Sequence, residues 1–89
     1  MIAENGTFKI ARLNRLERDD SLKAMVDIIT SNNMMIRGLK VVEGKNGLFV
    51  SMPGRQASNG KWYDNVYPLT KETREELTQT ILGAYEEAQ

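Results

Sequence analysis

Two glycines bracket a lysine at Gly44-Lys45-Asn46-Gly47, and the apolar run Leu48 to Met52 follows before Pro53-Gly54-Arg55. Glycine loops with a lysine can cradle phosphate through backbone N–H groups. The nucleotide-binding form requires G-x-x-x-x-G-K-[ST], with the hydroxyl holding Mg²⁺ at a helix start. Here two residues separate the glycines, and Leu48 opens an apolar run instead. The second near match, Gly54 to Gly60-Lys61, has five intervening residues and Trp62 in the hydroxyl position. These glycines are turn residues on this reading, with Asn46-Gly47 supplying the positive φ of a hairpin.

Hydrolytic chemistry is equally poorly served. The chain has no histidine and no cysteine, so the commonest general base, a common nucleophile and the usual zinc ligands are all missing. The carboxylate pairs Glu75-Glu76 and Glu86-Glu87 fall on a segment with helical spacing, where they form a solvated acidic face. The expectation is a protein that is not an enzyme, with no catalytic residue, metal or cofactor and no small-molecule substrate.

What remains is cationic. Lys45, Arg55 and Lys61 flank the two loops on either side of the Leu48–Met52 run, with Trp62 and Tyr63 close in sequence. Mobile cations suit phosphate backbones, and aromatic rings stack on unpaired bases. The competing reading makes these ordinary solubilising charges and packs Trp62 or Tyr63 beneath a helix. Met34, Met35 and Met52 are expected as core filler.

The elements that must position these residues follow from periodicity. Thr7 to Leu16 changes phase, Phe8 and Ile10 sharing one parity and Ala11 and Leu13 the other, which predicts a bulged strand. Residues 17–21 form a polar turn. Leu22 to Thr30 alternates cleanly, with Leu22, Ala24, Val26 and Ile28 on one face. Ser31-Asn32-Asn33 turns the chain into a strand from Met34 to Val42. Leu48 to Met52 is a short buried strand, Pro53 to Gly60 a loop, and Lys61 to Tyr67 a further strand ended by Pro68.

The tail then adopts a helical period. Thr70 is a candidate N-cap, Glu72, Glu75 and Glu76 suit the positive end of the dipole, and Leu77, Ile81, Ala84, Tyr85 and Ala88 form one stripe. The expected fold is α+β: a small antiparallel sheet of about five strands with a C-terminal amphipathic helix packed on it.

The 89 residues make a single domain, 1–89, with a thin core, since chains of this size bury only about 60 % of their unfolded surface. No segment has the apolar length of a secretory leader or membrane span, so a soluble cytoplasmic protein is expected. Lysine plus arginine balance aspartate plus glutamate at twelve each. Residues 7–61 nevertheless hold ten basic and five acidic side chains, against two basic and six acidic in residues 62–89. The chain is a charge dipole, basic first and acidic last.

VVEGKNGLFVSMPGR, followed by NGKWYDNVYPL and TREEL, resembles the SpoVG family (stage V sporulation protein G, septation regulator) of bacteria. The family core reads G-K/N-N-G-L-F-V-x-M-P-S/G-R/K, then D-G-x-x-x-D, H-P-I and a helix opening in F/T-R-E. Gly44, Asn46, Gly47, Leu48, Phe49, Val50, Met52, Pro53, Arg55, Gly60, Asp64, Pro68, Arg74 and Glu75 match it. Upstream, Arg12, Arg15, Leu22-Lys23-Ala24 and Gly38 extend the likeness, which covers residues 8–86. Departures are Tyr67 for histidine, Val66 for alanine, Asn59 for aspartate, Arg37 for a frequent histidine, and Gln56 for a common lysine or arginine.

The resemblance implies a dimeric nucleic-acid-binding regulator in the bacterial cytoplasm, acting on DNA and in some members RNA, in the control of gene expression, septation or sporulation. Arg55 matches the family's basic position after Met-Pro, Lys45 matches the turn, and Arg74 matches the arginine that opens the family's helix, a region linked to DNA contact; these are the expected phosphate-binding residues. Lys61 joins them from the loop reading. An edge strand gives a small sheet a route to self-association. The alternative is a protein–protein adaptor working through a sheet edge or helix face without nucleic acid. An Arg74 held inward by a carboxylate would favour it.

Overall fold

The computed structural model describes residues 8–17 and 20–88. The expected strand start at Thr7 and part of the turn, at Arg18 and Asp19, lie outside the described residues. Strands β1 (Phe8–Arg15), β2 (Leu22–Thr30), β3 (Met35–Gly44) and β4 (Gly47–Ser51) form an antiparallel meander in the order β1-β2-β3-β4. A second, two-stranded sheet pairs β5 (Gly54–Gln56) with β6 (Trp62–Asp64), and helix α1 (Lys71–Glu87) closes the chain.

The α+β class, antiparallel sheet and C-terminal helix are as expected, but the described residues form six strands in two sheets instead of about five. The stretch expected as a loop from Pro53 to Gly60 contains β5, and the strand expected over Lys61–Tyr67 is three residues long. Proline, glycine and asparagine there mark the ends of a small hairpin. The Ala57 N–H donates to the Lys61 carbonyl at 2.8 Å, the Gln56 amide reaches the Gly60 carbonyl, and Gly60 takes φ 87°.

Pairing register decides which side chains face the helix. Ile10 pairs with Ile28 but Arg12 with Asp27, so Ala11 is the extra residue that the change of parity implied. The bulge returns Leu13 to the face of Phe8 and Ile10. In β3, Arg37 and Gly38 together oppose Asp27, whose Oδ1 accepts from the Gly38 N–H at 3.1 Å. Gly38 has φ 89°, a left-handed value that glycine reaches without Cβ strain.

These shifts gather Phe8, Ala24, Val26, Ile28, Leu39 and Val41 on one face, sealed by Leu77 and Ile81 of α1. The helix forms because its apolar stripe has this sheet to cover. Thr70, extended at φ −123°, accepts from the Thr73 N–H through its hydroxyl at 3.1 Å, satisfying a donor of the first turn. At the other end Arg15 of β1 lies 4.0 Å from the centre of the Tyr85 ring and donates to the Tyr85 carbonyl at 2.6 Å. Neither Met34 nor Met35 fills the core; both are exposed at the β2–β3 turn, while Met52 packs against the core as expected. No helix of the described residues is long and apolar enough to cross a membrane.

Candidate nucleic-acid interface

The helix covers one face of the main sheet, and strand pairing fixes what the other face displays. Lys9, Ile29 and Met35 form one row across the strands. Arg12 and Asp27 form the next, then Asn14, Met25, Lys40 and Ser51, then Leu22, Val42 and Phe49. Three cations, Lys9, Arg12 and Lys40, therefore stand on the face away from α1, whose own Glu72, Glu75, Glu76, Glu86 and Glu87 occupy the opposite layer. Among the described residues, these three cations, with Asp27 beside Arg12, and the glutamates of α1 thus lie in opposite layers.

The β5–β6 hairpin leans over part of this outer face. Between them lies an open cleft of about 590 Å³, with Leu22, Lys40, Val42, Phe49 and Ser51 on the sheet side and Trp62, Tyr63 and Asp64 on the hairpin side. Gly44 lets the Phe49 ring lie down on β3, because a Cβ there would stand 3.0 Å from the ring. Trp62 is 68 % exposed and Phe49 48 %. The expected alternative, Trp62 or Tyr63 beneath the helix, is overturned: both aromatics are exposed on the far side of the sheet.

Lys45, Arg55, Lys61 and Arg74 are all exposed, and none forms an ion pair with another described residue. They do not form one cluster. Arg55 pairs across the hairpin with Tyr63, and Lys61 follows two residues before it, so these two cations share one element. Lys45 sits at the tip of the β3–β4 turn, separated from β5 by the five residues of β4, about 17 Å of strand. The turn is as expected, except that Gly47 takes the positive φ, at 119°, and Asn46 does not. Arg74 lies in the first turn of α1, in the other layer, and no carboxylate among the described residues holds it inward.

Residue-by-residue reading missed Lys9, Arg12 and Lys40 as a set. The signal was present: once Ala11 is a bulge, Lys9 and Arg12 fall on one face opposite Phe8, Ile10 and Leu13. Arg15, matched in the family pattern, is engaged with Tyr85 and serves the fold.

With this geometry established, comparison with known proteins is specific. Residues 8–87 match the family model described as SpoVG. Over 75 residues the chain is 44 % identical to a protein of Symbiobacterium thermophilum named "Putative septation protein SpoVG", covering 84 % of this chain and 54 % of that one. The chain thus spans about half the length of that relative. Proteins of the same name from Clostridium kluyveri and Lachnospira eligens are 36 % and 33 % identical over 75 and 78 residues. Those matches cover 84 % and 88 % of this chain and 78 % and 89 % of the relatives.

Proposed function

The chain belongs to the SpoVG family, and on that premise we propose that it is a dimeric, nucleic-acid-binding regulator of the bacterial cytoplasm. It acts on DNA or RNA in the control of gene expression, septation or sporulation. The observation that carries this reading is the layering of charge: cations on the outer sheet face and the β5–β6 hairpin, glutamates on the helix behind them. A neutral chain attracts a polyanion only through such a local field.

Dimerisation supplies the rest of the footprint. Of the two outer strands, β1 is blunted by its bulge and by Lys9, Arg12 and Arg15, whereas β4 (GLFVS) has neither charge nor bulge. Antiparallel pairing of two β4 strands, about a two-fold axis perpendicular to the sheet, keeps both outer faces on the same side. It also brings both β5–β6 hairpins toward the axis, so that Arg55 and Lys61 of each protomer address one ligand.

Titration of a labelled oligonucleotide at several salt concentrations tests the reading. Four phosphate contacts from each protomer, eight in the dimer, lower affinity for a duplex about 10,000-fold between 50 and 200 mM salt. Arg55→Ala weakens binding to all sequences about equally and reduces the salt slope by about one contact. Absence of binding to DNA and RNA alike, or binding indifferent to salt, contradicts it.

A second reading, a protein–protein adaptor, draws on a different observation. Met34, Tyr67 and Leu69 are exposed at 60, 56 and 88 % around one end of the sheet, beside a small cavity lined by Phe8, Ile36, Val66 and Tyr67. It predicts a flat nucleic-acid titration and loss of partner capture on Leu69→Ser. Arg74, which no carboxylate among the described residues holds inward, does not favour it.

A further inference from the structure

The cleft between the outer sheet face and the β5–β6 hairpin combines features that a duplex backbone does not need. Two exposed aromatic rings, Phe49 from β4 and Trp62 from β6, line it from opposite sides. Lys40 lines it as well, and Arg55 and Lys61 belong to the hairpin that forms its outer wall. At about 590 Å³ it lies within the roughly 300–1,000 Å³ of small-molecule sites. We propose that this cleft takes an unpaired nucleobase, so that the protein's preferred ligand is single-stranded nucleic acid. The inference rests on the nucleic-acid reading above and names the form of ligand that reading leaves open.

Three physical arguments converge on a base. A π-face is the one feature common to all nucleobases that Phe49 and Trp62 both engage, and stacking tolerates sequence variation. Cations are required alongside it because every base carries a phosphate; Lys40 supplies one in the cleft, while Arg55, paired with Tyr63, lies on the other side of the hairpin from Trp62 and Asp64, with Lys61 at its turn. Asp64 shares the Trp62 side of the hairpin by strand alternation and lines the cleft. Its carboxylate repels a phosphate from the interior yet accepts a hydrogen bond from an N–H on a base edge. The base goes in and the phosphate stays at the rim. A base held in a duplex stack cannot enter.

Trp62 is the sole tryptophan in the chain, so its fluorescence reports on this cleft alone. Three labelled ligands of equal length are compared at one low salt concentration: a single strand, its blunt duplex, and the same single strand built of abasic nucleotides. Ligand anisotropy measures binding and Trp62 emission measures stacking. The single strand is expected to quench Trp62 and to bind about 5- to 100-fold more tightly than the abasic strand. The duplex and abasic strands bind without quenching. Phe49→Leu, which keeps apolar bulk and removes the ring, removes the advantage of the single strand over the abasic one and leaves abasic affinity unchanged. Equal affinity for single and abasic strands, a silent Trp62, or equal quenching by the duplex overturns the cleft while leaving the nucleic-acid reading intact. If none of the three ligands binds, both fall.

Discussion

At the scale of single residues, the arginines divide by what they touch. Arg15 has its guanidinium over the Tyr85 ring and on the Tyr85 carbonyl. It supplies a positive charge at a helix end whose last turn has no basic residue. Arg15→Ala is expected to cost about 1–2 kcal/mol in urea denaturation, through the lost cation–π contact and charged hydrogen bond. Oligonucleotide affinity measured on the folded variant stays unchanged. Arg55 behaves in the opposite way: exposed on a three-residue strand and without an ion pair among described residues, it leaves stability almost unaltered when truncated and weakens phosphate binding. Both arginines match the family pattern, and sequence alone could not separate them. The distinction requires knowing that β1 ends against the C-terminal end of α1, a contact between residues seventy positions apart.

At the scale of elements, the helix depends on its cap and its stripe. Thr70→Ala removes the acceptor for the Thr73 N–H and is expected to lower stability by about 1 kcal/mol, read as a lower urea midpoint at an unchanged slope. Valine cannot replace the hydroxyl either, so Thr70→Val gives a similar loss and Thr70→Ser restores most of it. The cap was legible because threonine before an acidic first turn has a local cause. So was the bulge at Ala11, since a change of parity within one strand has no other economical origin. The β5–β6 hairpin was not legible. Three-residue strands are too short to display alternation, and the glycines and asparagine that close the turn read as a loop. Exposure was also hidden: alternation assigns Phe49 to a face, but the placement of a single helix decides which face stays open. Met34 and Met35 were misjudged for the same reason: Met34 lies at the β2–β3 turn and Met35 on the sheet face away from α1.

At the scale of the whole molecule, a chain with no net charge acquires a cationic side because one helix carries most of its glutamates and covers only one face of the sheet. Lys9, Arg12 and Lys40 emerge opposite, joined by Arg55 and Lys61 on the hairpin. One protomer presents a small footprint. Two, paired through β4 with both outer faces on the same side, double it. The slope of log affinity against log salt for a duplex long enough to span the dimer tests this arrangement most directly. Four contacts from each protomer predict a slope of about −7. A slope near half that value, or near zero, contradicts two protomers presenting their cations to the same nucleic acid.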